Sequence, residues 1–169
     1  MNKNDLRFQK TEMLIKKTYL TLKKRGSSVV KVKDLCEKAM INKTTFYAHY
    51  ETIDHLHKQV CEEFVKEILS KCEDINKIQN ETRAFVFSIL GIFMENIKTV
   101  EKLYGEDLFD LVNDVERVLM EYFIKENREE DFSLAVRFCI GGAFRLLVLE
   151  RDPESVQKTV ELIERVINP

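Results

Sequence analysis

Tryptophan is absent from this chain, and proline and glycine are scarce, with two and five occurrences in 169 residues. So little turn chemistry excludes a fold built on hairpins, because tight hairpin loops need Gly or Asn-Gly and strands need bounding breakers. Uninterrupted apolar runs long enough to span a bilayer are missing, and no basic, apolar leader with a cleavage site opens the sequence, so a cytoplasmic location is expected. Cysteine is sparse and unpatterned. Cys36, Cys61, Cys72 and Cys139 are scattered without a CxxC, each in an apolar-periodic stretch, which predicts reduced thiols serving as small hydrophobes. No Gly-rich phosphate loop, HExxH or serine nucleophile elbow occurs, so neither catalysis nor a cofactor is expected.

What is present is 44% hydrophobic and 33% charged residues. The dominance of Leu, Ile, Val, Glu and Lys over breakers predicts an all-α protein. The formal net charge of −2 conceals a split. Residues 1–50 carry 12 Lys or Arg against 4 Asp or Glu, a net of +8, whereas residues 51–169 carry 15 against 25, a net of −10. A basic module on an acidic body suits a polyanion-facing end whose remainder is held off by like charge.

Periodicity predicts a first helix over 6–24, with Phe8, Ile15, Tyr19 and Leu22 on one face and "KKRG" at its end, where Gly26 would stop it. A short second helix over 31–39 places Val32, Leu35 and Ala39 together, and "MIN" links it to a third that Asn42 would cap and Lys43 would begin. Two short helices joined by so tight a link make a helix-turn-helix. Residues 53–70 form a bridging helix entered through Thr52, with Ile53, Leu56, Val60, Phe64 and Ile68 as its stripe. The polar segment 73–81 reads as a bend, and 82–100 is apolar almost all round, as a buried central helix would be. Further helices are predicted over 107–125 and 131–150, and a last one starts at "DPES", with Asp152 as cap and Pro153 in its first turn. The sum is about eight or nine helices in two domains, 1–52 and 53–169.

A recognition helix presents small polar side chains to base edges from its first turn while its flanks grip phosphates. Lys43, Thr44 and Thr45 suit the first task, since Lys donates to guanine and a Thr methyl packs on thymine. Lys31 and Lys33 would flank the groove, and Phe46 and Tyr50, four residues apart, would wedge the helix into its module. His55, His57 and Cys61 lie within seven residues, but no further ligand at suitable spacing completes a zinc set, so no metal is expected.

The stretch from Ile15 to Leu56 resembles the DNA-binding region of the tetracycline-repressor (TetR) type of transcriptional regulators. The resemblance rests on Ile15, Leu22, Gly26, Asp34, Leu35, Ala39, Thr45, Tyr47, His49 and Leu56, with Ile41, Asn42, Phe46 and Tyr50 as close replacements. The order of the later helices and "FCIGGAF" at 138–144 are similar to a subgroup with short regulatory domains associated with dihydroxyacetone kinase genes. Three positions depart from the pattern. Met40 replaces the turn glycine, Lys31 stands where a Thr often caps the second helix, and Ile53 stands where relatives carry a phosphate-contacting Lys.

The resemblance implies a homodimer on a palindromic operator, normally a repressor, released by a small-molecule effector. It implies phosphate contacts from Tyr47 and His49, beside the cap Asn42. The last two helices would build the dimer interface, with Gly141 and Gly142 for close approach and Val156, Val160, Ile163 and Ile167 as apolar surface; packing within one chain is the alternative. The effector pocket would draw on Phe85, Phe93, Met94, Tyr104, Phe109, Tyr122 and Phe144, unless these are core residues. Arg137 and Arg145, inside an apolar helix, would meet either an anionic ligand or a carboxylate on a neighbouring helix. A helical adaptor that keeps the fold but binds a protein partner is the alternative function.

Overall fold

A computed structural model of the chain describes residues 5–23, 29–72, 77–105, 108–125, 130–149 and 152–168; the side chains of 125, 143–145 and 147–149 also lie outside the described residues. These residues form ten helices and no strand, so the all-α class holds. In order they are α1 (Leu6–Leu22), α2 (Val32–Ala39), α3 (Lys43–His49), α4 (Ile53–Ser70), α5 (Lys77–Asn80), α6 (Thr82–Glu95), α7 (Ile97–Tyr104), α8 (Phe109–Lys125), α9 (Glu130–Leu149) and α10 (Pro153–Ile167). No helix among the described residues is long and apolar enough to cross a membrane. All four cysteines are buried and outside any disulfide.

Local chemistry explains several of the helix starts. Asp5 caps α1 by accepting from the Arg7 amide at 2.9 Å, Thr52 Oγ1 accepts from the His55 amide at 3.0 Å, and Asp152 accepts from the Ser155 amide at 2.9 Å with Pro153 just inside α10. Lys31 precedes α2 without a side-chain cap. The proposed stop of α1 at Gly26 lies outside the described residues.

The single helix expected over 82–100 is broken at Asn96. Its side-chain amide donates to the Ile92 carbonyl at 2.8 Å and its backbone leaves helical values, so a residue that competes with the ladder divides α6 from α7. Nor is α6 buried all round: Phe85 and Phe93 face inward, but Phe87 and Met94 are exposed. The bend expected over 73–81 contains the one-turn helix α5.

The chain divides into two compact units, Met1–Cys61 with Lys98–Glu106 and Glu62–Ile97 with Asp107–Pro169, and the border falls inside α4. In the first unit Ile15, Tyr19, Leu35, Phe46, Tyr50 and Leu56 are almost fully buried, which ties α1, α2, α3 and the start of α4 into one core. In the second, Phe123 of α8 meets Phe132 of α9 edge-on with centroids 5.4 Å apart, and Leu111, Val115, Val136 and Val160 fill the interior. Arg117 joins Glu62 at 2.8 Å and Asp114 at 2.7 Å, which raises the guanidinium pKa and holds the Glu62 carboxyl below its usual range, with Lys66 the leading cause for Glu62.

The link between α2 and α3 carries the strained residue. Ile41 donates its amide to the Cys36 carbonyl at 3.0 Å, closing α2 in a Schellman arrangement that requires a left-handed residue at position 40. Met40 supplies it at φ 53° and ψ 44°, with its side chain 92% exposed. Gly105 takes a φ of 70° after α7 without that steric cost. Replacing Met40 by glycine is expected to raise unfolding free energy by about 0.5–1 kcal/mol, the left-handed penalty less the extra freedom glycine gains when unfolded. A urea midpoint that stays put or falls would show that the turn carries no such strain.

Candidate nucleic-acid interface

Helix α3 separates its side chains by direction. Asn42 Oδ1 accepts from the Thr45 amide at 2.6 Å and from the Thr45 hydroxyl at 2.8 Å, so the cap consumes two donors and fixes the first turn. Lys43 and Thr44 remain exposed beside it. Phe46 is fully buried, and Tyr50, 1% exposed, lies against it with ring centroids 5.9 Å apart. Tyr47 turns the other way: its ring edge touches Phe46 at 5.4 Å, but the residue is 55% exposed and its hydroxyl has no partner among the described residues. Lys31 and Lys33, at the head of α2, are both exposed; Lys33 reaches Glu37 at 3.8 Å in a solvated pair that holds it weakly.

Two of the side chains that the sequence offers to DNA also have partners within the chain. The Thr45 hydroxyl proton is committed to Asn42 and the residue is half-buried, so of the three first-turn side chains Lys43 and Thr44 carry the open polar surface. His49 stacks on Phe8 of α1, with centroids 3.8 Å apart and planes 23° from parallel. Its Nδ1 is buried without a hydrogen-bond partner among the described residues. Any phosphate contact from this ring therefore falls to Nε2. Sequence reasoning missed Phe8 as the residue that orients His49, because the two sit 41 positions apart and no local pattern joins them.

The surroundings of His49 set its protonation. Burial pushes its pKa below the ordinary imidazole value and Lys16 adds to that, while the Glu12 carboxylate opposes both. Glu12 is itself a junction. It pairs with Lys16 at 2.8 Å, accepts from Gln59 at 3.2 Å and meets the Tyr50 hydroxyl at 3.4 Å. Burial works to raise its pKa, and Lys16, His49 and Tyr50 together bring it below the usual carboxylate range.

A histidine depressed on folding is protonated more readily in the unfolded chain, so its contribution to stability is present above the ordinary imidazole pKa and is lost as pH falls through that range. Replacing His49 by glutamine is expected to flatten the unfolding free energy between about pH 7 and pH 5 relative to the native chain. Parallel profiles for the two proteins would overturn this account of the ring.

The remaining histidines are engaged elsewhere. His57 Nδ1 lies 2.9 Å from the Tyr19 hydroxyl, and Cys61 Sγ lies at nearly equal distances, 3.6 and 3.7 Å, from its two ring nitrogens, so the sulfur sits against the ring rather than in line with an N–H. Burial raises the Tyr19 pKa. His55 packs edge-on against Tyr50 at 5.8 Å. Among the described residues no three such side chains gather around one point.

The expected effector residues differ in their surroundings. Phe85 lines a cleft in the second unit, but Phe93 and Tyr122 are not on its wall, Met94 and Phe109 are exposed, and Tyr104 belongs to the first unit, where its hydroxyl meets the Cys61 carbonyl at 3.5 Å. Arg137 pairs with Glu116 of α8 at 2.8 Å, which answers its question in favour of a carboxylate. The side chains of Phe144 and Arg145 lie outside the described residues.

The expected dimer residues also divide. Val160, Ile163 and Ile167 are buried within their own chain and Val156 is half-buried, so intrachain packing takes the apolar face of α10 that the sequence assigned to a partner. Gly141 and Gly142 are exposed, with open space where a Cβ would stand, and Leu134, Phe138 and Leu146 lie exposed at multiples of four residues along α9. Comparison of the chain with protein-family models, curated proteins and solved structures found no match.

Proposed function

We propose that this chain is a sequence-specific DNA-binding transcriptional regulator of the tetracycline-repressor type, working as a homodimer in which α2 and α3 form a helix-turn-helix and α3 enters the major groove. The observation that carries the reading is the two-sided character of α3. Phe46 and Tyr50 anchor it, Asn42 fixes its first turn, and Lys43, Thr44 and Tyr47 stand open on the other side. That set offers a base-edge donor, a methyl-bearing hydroxyl residue and a phosphate-seeking phenol on one short rod. Lys31 and Lys33 add positive charge close by in sequence, within the basic third of the chain.

A module this small contacts too few base pairs for useful selectivity, so two copies on a palindrome are the economical arrangement. The exposed face of α9, with Leu134, Phe138 and the open glycines, is the surface best suited to the second copy, since it sets apolar side chains beside backbone that a partner can approach closely. The regulator is expected to act as a repressor from which a small molecule releases the DNA. That requires the ligand to prefer one arrangement of the protein over another.

A gel shift against the DNA upstream of the protein's own coding sequence, at several salt concentrations, tests the reading. One retarded band that outlasts a large excess of unrelated duplex and weakens steeply with salt is expected. Binding that is indifferent to sequence, or no binding at low salt, would falsify it and favour the adaptor.

A further inference from the structure

The second unit contains a cleft of about 80 Å³ between α5, α6, α8, α9 and α10. Phe85, Leu119, Val136 and Ile163 form its buried wall, while the half-buried Leu90 and Ile140 stand toward solvent. Among the described residues every lining side chain is hydrocarbon except Cys139, whose thiol is held neutral by burial that raises its pKa. Among the described residues none of the lining side chains carries a charge. Arg137 and Lys77, each next in sequence to a lining residue, pair with Glu116 at 2.8 Å and Glu81 at 3.7 Å and are not themselves part of the lining.

We infer that this cleft binds a small uncharged molecule through a short alkyl chain. Charge decides the class. Among the described residues a carboxylate or ammonium drawn into the hydrocarbon finds no counter-ion and no donor, and its desolvation penalty far exceeds what the walls return. The body around the cleft carries a net −10 over residues 51–169, which weakens anion binding at the mouth as well. Size decides the shape. The volume is roughly half the 150 Å³ of an engineered apolar cavity that stays dry and holds benzene, so the cleft encloses the first few carbons of a narrow chain, whose remainder stands at the mouth, and does not enclose a ring system. Burial of that chain displaces water from apolar surface on both partners, which supplies the affinity. The binding itself is independent of any action on DNA; only its role as the releasing signal rests on the regulator reading.

Isothermal titration of the full chain with 1-hexanol and with hexanoate, chains of equal length that differ in charge, tests the inference. A saturable heat at one hexanol per chain is expected, with hexanoate at least tenfold weaker. Ile140→Trp, which places a ring across the mouth from a half-buried position, is expected to abolish the hexanol heat with the circular dichroism unchanged; Leu90→Trp does the same from α6 and serves if the first variant misfolds. No saturable hexanol heat, equal affinity for hexanoate, or a heat that survives plugging would each overturn the assignment. Hexanol binding in a chain that recognises no duplex would leave the cleft assigned and remove the regulator reading instead.

Discussion

Replacing Phe46 by alanine will lower unfolding free energy by about 3–5 kcal/mol, the range for truncating a fully enclosed aromatic ring. The ring is completely buried, meets Tyr47 edge-on at 5.4 Å and lies 5.9 Å from Tyr50, so its removal leaves a cavity in the core of the first unit that its neighbours cannot fully fill. Phe46→Leu, which keeps much of the volume, should cost far less, about 1.5 kcal/mol or under. Urea titration followed by circular dichroism measures both. A loss for alanine below about 1 kcal/mol would show that α3 is not anchored through this ring. On the proposed reading DNA binding should weaken as well, because Tyr47 and Thr44 are aimed by the helix that Phe46 holds.

The second large effect concerns charge. On the proposed reading, replacing Lys31, Lys33 and Lys43 together by alanine is expected to weaken operator binding at least about a hundredfold near 0.1 M salt and to flatten its salt dependence, each lost phosphate contact removing about 0.9 from the slope of log K against log salt. All three side chains are exposed, and the Lys33 pair with Glu37 is long and solvated, so the urea midpoint should hardly move. Fluorescence anisotropy over a salt series reads the slope directly. An unchanged slope would place the polyanion-facing surface away from α2 and α3, whatever the charge asymmetry of the chain suggests.

Much of the fold was legible because helix formation is local. Asn42, Thr52 and Asp152 act on donors two or three residues away, so their roles as caps follow from residue type and spacing, and the structure has all three in those positions. The same holds for Phe46 and Tyr50, whose spacing puts both on the buried side of α3. The break at Asn96 was within reach of the same reasoning, since Asn bonding back to the carbonyl four residues earlier is a local event, but the apolar run on either side masked it. Met40 was recognisable as unusual, and the Schellman closure of α2 explains why a left-handed residue is required there.

Periodicity identifies which face of a helix is apolar and is silent on what covers it. For α10 the cover is the chain's own core, which takes Val160, Ile163 and Ile167, whereas Phe138 of α9 and Phe87 of α6, equally apolar in sequence, stand in solvent. Arg137 could have met a ligand or a carboxylate, and Glu116, 21 positions earlier, decides it. His49 is aimed by Phe8, and the uncharged cleft exists only because five helices leave a gap among their hydrocarbon side chains. The sequence by itself determined the helical class, the cap residues, the basic third of the chain and the amphipathic faces, because each depends on neighbours within a turn or two. Tertiary structure alone decided which apolar surfaces are spent inside the chain and which remain open, because that choice depends on contacts between residues far apart in sequence, and many packings share one pattern of hydrophobic spacing.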